Sequence, residues 1–291
     1  MYFDTRRLHY QRLDIAQAEK SLPKKLIDLS SAPPEVPKIW SHMPDWIFRL
    51  IEKLAGIKKI NRAYEKYLAD DTSDHATTKV VRAFGFQFTV EADSFKPPTS
   101  GPLIVISNHS YTPVDGFVLA SFLSRTRLDL SFIANEFLKN INGLDGLILV
   151  SPINSAYSKE LNVRAVRQSL RHLMRGGCVI MFPSGEVSTF SWKTSRQEER
   201  SWNTTPALLA RKTEAAVLPV FIEGSHSLLF QVVFSINPRL ANLLLAREVI
   251  RAKRRLLRLK VGEVLSPETF GRFKTDQALT DFFRKKVYSL R

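Results

Sequence analysis

A histidine and an aspartate with five residues between them are the first candidates for chemistry in this chain. His109 follows the apolar run 103–106, and Asp115 precedes a second apolar stretch. A histidine titrates near neutral pH, so it can take a proton from an alcohol. A carboxylate on its other ring nitrogen fixes the tautomer and stabilises the imidazolium. The pair is therefore either a general base or a loop histidine followed by a helix-capping aspartate.

The elements around this pair predict where it lies in the fold. A short apolar run bounded by turn residues, such as 103–106, is typical of a buried strand. A helical apolar pattern begins at Phe117, and Asp115 is placed to be the N-cap of that helix. His109 should then lie at the carboxyl end of a strand, where open α/β sheets bind their ligands.

A second polar segment follows the predicted strand 178–182. Gly185 permits a sharp turn there. Backbone amides and the hydroxyl groups of Ser184 and Ser188 could bind an oxygen-rich headgroup or a tetrahedral oxyanion. Glu186 could bind a cationic or hydroxyl-bearing acceptor, and the alternative is a turn glutamate that faces water.

Three motifs in order resemble those of the glycerolipid acyltransferases, the family of bacterial 1-acylglycerol-3-phosphate acyltransferase. They are Asn108-His109 with Asp115, the segment Val179–Ser188, and the apolar block Ala216–Val220 with its proline. The family pattern has four residues between histidine and aspartate, whereas this chain has five. Ser184 stands where the family has glutamate, and Val187 where it has arginine. These departures resemble the branch that includes hemolysin-like proteins and lyso-ornithine lipid O-acyltransferases.

The resemblance implies direct acyl transfer, in which His109 deprotonates an acceptor hydroxyl and Asp115 orients and stabilises the imidazole. The alkoxide attacks an acyl thioester, on coenzyme A or acyl carrier protein, so no serine or cysteine nucleophile is needed. The implied acceptor is a lyso-lipid, of the lysophosphatidic acid or lyso-ornithine type. Asn108, Ser184, Gly185, Glu186 and Ser188 are the candidate acceptor or oxyanion contacts. No bound cofactor is expected, and no metal, because histidines at ligand spacing are absent.

The charge of the chain indicates an anionic partner. Lysine and arginine total 43 against 28 acidic residues, a formal net charge of +15. A lipid surface, a nucleic acid, acyl carrier protein or coenzyme A would each suit it. Arg164, Arg167 and Arg171 form a single-signed stripe on a predicted helix at 158–175, and are either donor contacts or a solvated face. Cys178 is the only cysteine, so no intrachain disulfide is possible.

Alternating strand and helix patterns between Phe84 and Leu265 predict an α/β fold. Its sheet should be mostly parallel and flanked by helices. We predict a polar segment and linker at 1–37, an amphipathic helical element at 38–80 and the acyltransferase-like α/β domain at 81–291.

Two segments carry tryptophans that would suit a membrane interface. Helical spacing over 44–67 places Trp46 among lysines, which is typical of an interfacial helix or of a helical hairpin packed on the catalytic domain. Residues 190–205 are charged and irregular, and predict a surface loop in which Trp192 and Trp202 approach lipid.

No apolar run is long enough to cross a bilayer, so we expect a peripheral, monotopic protein on the cytoplasmic face of an anionic membrane. A non-catalytic basic protein that binds anionic membrane or nucleic acid is the alternative. No nucleic-acid-binding motif is present, so no nucleic acid is expected. A Gly-x-Ser-x-Gly elbow is also absent, which argues against a serine hydrolase. His226 is the second candidate histidine, with Glu223 as its nearest carboxylate in sequence.

Overall fold

The structure is a computed structural model that describes most of the chain. The described residues are 25–27, 44–92, 97–111, 113–134, 138, 141–144, 146–150, 158–185, 187–191, 196–237, 241 and 244–291. The helices are α1 (Asp45–Leu54), α2 (Ile57–Leu68), α3 (Ala76–Phe84), α4 (Val114–Leu123), α5 (Ser158–Met174), α6 (Thr205–Thr213), α7 (Leu228–Ile236), α8 (Leu245–Ala252) and α9 (Asp276–Tyr288). The strands are β1 (Gln87–Ala92), β2 (Leu103–Ser107), β3 (Leu130–Ala134), β4 (Ile148–Val150), β5 (Cys178–Met181), β6 (Thr189–Ser191), β7 (Arg196–Glu198), β8 (Ala216–Glu223) and β9 (Leu256–Val261). A 3-10 helix spans Pro267–Arg272.

Seven of these strands form one sheet in the order β1-β9-β8-β2-β5-β3-β4. Every neighbouring pair is parallel except β8 and β9. In the central strand, Leu103 pairs with Cys178 of β5 and with Ala216 of β8. The carboxyl ends of β2, β5 and β8 therefore meet at one edge of the sheet. The predicted α/β fold with a mostly parallel sheet flanked by helices is confirmed.

The central strand is apolar from Leu103 to Ile106 because helices cover both of its faces. Leu103 and Val105 point into one core, which includes residues of α2, α3 and α4. Ile104 and Ile106 point into a second core, formed with α6 and α9. All four side chains have no exposed surface. This burial holds the end of β2, and the His109 segment that follows it, at a defined depth.

The amino-terminal helices agree in part with the prediction. The pattern over 44–67 forms two helices, α1 and α2, which are separated at Gly56. The helix α3 was not predicted, and the strand expected from Phe84 begins instead at Gln87. The sequence of α3 is rich in β-branched residues, but the helix packs Val80 and Val81 into the first core. Tertiary packing outweighs the weak local propensity here.

The prediction for the 190–205 segment was wrong. The 190–205 segment contains an antiparallel hairpin of β6 and β7, and Trp202 beyond it is 4% exposed, so it packs into the second core rather than facing lipid. Trp192 lies outside the described residues. The helix α7 was not predicted at all. Within the described ranges, no helix combines the length and the apolar character that a bilayer span requires.

Candidate active site

The predicted histidine–aspartate pair is assembled at the carboxyl edge of the sheet. Nδ1 of His109 lies 3.0 Å from Oδ2 of Asp115. The same oxygen accepts the backbone N–H of Tyr111 at 2.6 Å, which folds the connecting turn back on itself. Asp115 is fully buried, whereas the imidazole keeps 15% of its surface exposed. The spacing of five residues therefore allows the pair to form.

The sequence pattern predicted Asp115 as the N-cap of α4, and this prediction was wrong. Pro113 occupies that position, and Asp115 lies in the first turn of the helix. The unpaired amides of a helix amino terminus favour a negative charge there. Among the described residues, Oδ1 of this carboxylate is buried without a hydrogen-bond partner.

Phe182 packs against the catalytic candidate His109. It lies directly after β5, and its ring stacks on the imidazole with centroids 4.3 Å apart and planes inclined by 23°. One face of the imidazole is covered in this way. The Asp115 hydrogen bond and this stacking contact together restrict the rotation of His109.

Asn108 fastens the start of the site to the neighbouring strand. Its amide donates to Oγ of Ser110 and to the carbonyl oxygen of Ile222, both at 2.9 Å, and its own oxygen accepts the N–H of Ile222 at 2.7 Å. The side chain thus continues the β2–β8 pairing beyond the end of β2. Because both amide hydrogens are engaged, the geometry favours an anchoring role over the predicted acceptor contact.

The second predicted loop is attached directly to the first. The backbone N–H of Ser188 donates to the carbonyl oxygen of His109 at 2.8 Å, and its hydroxyl lies 3.0 Å from the same oxygen. Gly185 adopts a φ of 68° and donates its N–H to Phe182. The amides of Ser188 and Gly185 thus hold the loop together instead of facing an oxyanion. Ser184 lies half-buried in the turn, and Glu186 is outside the described residues.

Glu199 is a site residue that the sequence did not indicate. Its carboxylate is 6% exposed and accepts the backbone N–H of His109. It also accepts the indole N–H of Trp202 at 2.8 Å, and Oγ of Ser188 lies 3.3 Å away. Burial and the negative charge of Glu199 raise the pKa of Tyr288 far above its ordinary value, so the phenol stays neutral. The carboxylate therefore joins both site loops to α9.

Sequence reasoning missed Glu199 for a physical reason. It belongs to the charged run Arg196–Arg200, which includes a second glutamate at Glu198. Nothing in that run marks Glu199 in advance, because its burial depends on tertiary contacts.

The second candidate histidine has a different carboxylate partner from the one expected. Nδ1 of His226 lies 3.4 Å from Glu248 of α8, whereas Glu223 pairs with Lys260 at 2.7 Å. His226 is 2% exposed, and within the described part of the chain neither ring nitrogen has a hydrogen-bond partner. Its burial separates it from an incoming substrate.

Glu248 is held ionised by its neighbours. Burial alone would raise the pKa of this carboxyl group. The approach of His226 and the two hydrogen bonds from Ser227, at 2.7 and 2.5 Å, outweigh burial and lower the pKa to about 2. This contact fastens α8 to the first turn of α7, because Ser227 is the N-cap of α7.

The predicted arginine stripe is exposed on α5. The last turn of this helix leads into the amino end of β5, so the helix runs away from the site edge. Each turn adds about 5.4 Å, which places Arg171 about 10 Å further along than Arg164. Arg164 is therefore better placed than Arg171 to meet a ligand at the site.

A cleft of about 190 Å³ opens beside the His109 loop at the same sheet edge. Its lining is mixed, and comprises Asn108, Ser110, Ser188, Phe221, Glu223, Gly224, Tyr288 and Arg291. Gly224 has a φ of 135°, and a Cβ atom there would overlap the ring of Tyr111, so this loop requires glycine. Across the described residues, no cluster of three or more histidine, cysteine or acidic side chains could hold a metal ion.

A family model described as Acyltransferase matches residues 32–291. A lyso-glycine lipid O-acyltransferase of Phocaeicola vulgatus is 28% identical over 204 residues, which cover 66% of this chain and 70% of that protein. One of Bacteroides thetaiotaomicron is 23% identical over 268 residues, covering 88% and 94%. The solved 1-acyl-sn-glycerophosphate acyltransferase PlsC of Thermotoga maritima has a TM-score of 0.45 and 19% identity, covering 84% of this chain and 87% of its own.

Proposed function

Because this chain belongs to the acyltransferase family, we propose that it moves a fatty acyl group from a thioester to the hydroxyl of a lyso-lipid. The family membership confirms the enzyme class that the motifs predicted. The observation that carries the proposed chemistry is the His109–Asp115 pair, with its aspartate buried and its imidazole partly exposed at the carboxyl edge of the sheet.

The proposed reaction begins with proton transfer. Nε2 of His109 is the ring nitrogen remote from Asp115, and it takes the proton of the acceptor hydroxyl. At the same time the oxygen of that hydroxyl attacks the carbonyl carbon of the thioester. Asp115 stabilises the imidazolium that forms. The tetrahedral intermediate then collapses, the carbon–sulfur bond breaks, and the imidazolium returns its proton to the thiolate. The products are an ester and a free thiol.

We propose an acceptor with an amino-acid headgroup in preference to lysophosphatidic acid. Two similar proteins are named lyso-glycine lipid O-acyltransferases. Ser184 and Val187 stand where the glycerolipid pattern has glutamate and arginine, so the usual partner of an acceptor phosphate is missing from this loop. A lyso-glycine lipid or lyso-ornithine lipid would not require that arginine.

The acyl donor in this proposal is acyl-CoA or acylated acyl carrier protein. The enzyme is proposed to work as a peripheral protein on the cytoplasmic face of an anionic membrane. The net charge of +15 supports this assignment, because both donors and anionic lipids carry negative charge. Arg164, at the exposed surface of α5 nearest the site edge, is the first candidate donor contact.

The test is transfer of labelled acyl groups to lyso-glycine lipid, lyso-ornithine lipid and lysophosphatidic acid. We expect product with wild type, and a loss of at least about 10²-fold with His109→Ala. His172→Ala is the matched control, because His172 lies on α5 at the opposite edge, where it contacts the carbonyl of Asp129. Full activity of His109→Ala would refute the mechanism. A folded wild type that binds anionic vesicles but acylates no acceptor would favour the non-catalytic alternative.

A further inference from the structure

The helix α7 exposes an unbroken apolar stripe. Its sequence, LLFQVVFSI, contains no charged residue. Leu228, Leu229 and Ile236 are 64%, 45% and 77% exposed. With half-buried Val232 and Val233 they span one face of the helix at steps of 100°. Single exposed apolar residues are ordinary, but a contiguous patch indicates an interaction surface.

This stripe lies at the same sheet edge as the candidate active site. Four residues separate the end of β8 from the start of this helix, which lies beside β6. Its inward face is fixed by Phe230, whose ring lies 4.2 Å from that of His226. His226 in turn meets the edge of Tyr111, two residues from His109. The inward face thus packs toward the catalytic loop while the stripe faces outward.

A helix with exposed basic side chains contacts the start of α7. The helix α8 is fastened to the start of α7 by the Glu248–Ser227 hydrogen bonds. On α8 and directly after it, the side chains of Arg247, Arg251 and Arg254 are exposed. An apolar stripe with cations beside it is complementary to an anionic bilayer, with its apolar interior and negative headgroups.

A second exposed apolar pair lies on the other side of α8. Ile250 of α8 lies against Gly56, where α1 ends and α2 begins. On α1, Trp46 and Leu50 are 62% and 45% exposed. The basic helix therefore contacts the start of α7 on one side and the junction of α1 and α2 on the other.

We propose that the outward face of α7, with the cations of α8, docks on an anionic lipid bilayer and holds the active-site edge against it. This inference rests on the proposed function, because a lyso-lipid acceptor resides in the membrane. An uncharged stripe beside exposed positive charges suits an anionic bilayer better than a protein partner, whose surface would carry both positive and negative charges.

The test compares two charge-matched double variants. Leu229→Glu with Ile236→Glu alters the stripe. Leu128→Glu with Met174→Glu is the control, because both residues are 71% exposed and lie before the amino ends of β3 and β5, at the opposite edge. Co-sedimentation with phosphatidylcholine vesicles, with and without phosphatidylglycerol, measures binding. We expect the stripe variant to bind anionic vesicles about a hundredfold more weakly, and the control to match wild type. Equal binding by both variants would overturn the proposal.

Turnover of a short-chain acceptor dissolved below its micelle concentration separates this proposal from the proposed function. The stripe variant should retain wild-type turnover there, because its substitutions lie outside the catalytic pair. If wild type itself shows no turnover but binds vesicles through the stripe, the docking surface stands and the enzymatic proposal fails. If the stripe substitutions change the oligomeric state and leave vesicle binding intact, the surface is a protein interface and the docking proposal is refuted.

Discussion

The carboxylate of Glu199 provides the sharpest test of how this site is built. It accepts hydrogen bonds from the His109 backbone and the Trp202 indole, and its charge acts on the Tyr288 phenol. In Glu199→Gln the side chain keeps one oxygen as a hydrogen-bond acceptor. An NH2 group replaces the other oxygen, and it faces a hydrogen-bond donor from which it cannot accept. A buried unsatisfied donor costs about 1–3 kcal/mol, and the change from charged to neutral hydrogen bonds costs about 1 kcal/mol more. We therefore expect the free energy of unfolding to fall by about 2–4 kcal/mol.

The catalytic consequence follows from the contact with His109. Displacing a catalytic group by about 1 Å can lower a rate about a hundredfold. Glu199 positions this histidine without reaching the substrate, so kcat should fall by roughly 10–100-fold while KM for the acceptor changes little. Denaturant unfolding and steady-state acyl transfer measure the two effects. Glu263→Gln, at an exposed glutamate, is the control.

A double-mutant cycle tests the contact itself. Trp202→Phe removes the indole donor that would face the new amide of Glu199→Gln. The two losses of stability should therefore be less than additive, by about 1 kcal/mol. Strict additivity, or wild-type kcat in Glu199→Gln, would refute the role assigned to this carboxylate.

Three further outcomes are expected. Asp115→Asn should lower kcat by about 10²–10⁴-fold in steady-state assays with KM nearly unchanged, because the tautomer of His109 is no longer set by a carboxylate. Asn108→Ala should lower the free energy of unfolding by about 2–4 kcal/mol in denaturant titrations, because the paired backbone of Ile222 is left buried. Glu248 has a pKa lowered from 4.5 to about 2, so it stabilises the fold above about pH 4.5 and loses that contribution, about 3 kcal/mol, as the pH falls toward 2. In thermal unfolding at a series of pH values, the stability of Glu248→Gln should fall less steeply toward acid pH than that of wild type.

Local patterns predicted much of the fold. The sequence predicted the strand β2 from its apolar run and bounding turn residues, and the helices α1 and α2 from their helical spacing. Both patterns depend only on residues that are close together in the chain. The helix α7 was missed because LLFQVVFSI reads equally well as a buried strand. Trp202 was misplaced because its burial depends on α9, which is more than seventy residues further along the chain.

The sequence by itself indicated the acyltransferase family, the α/β architecture and the His109–Asp115 pair. The apolar period and the spacing of the pair are short-range properties, and the order of the motifs can be followed along the chain without knowing the fold. Only the tertiary structure decided which carboxylates serve the site. Glu199 holds the histidine backbone from 90 residues away, and Glu248 reaches His226 from a separate helix. The physical reason is that a glutamate in a charged run is distinguished only by burial and by the donors that folding brings to it.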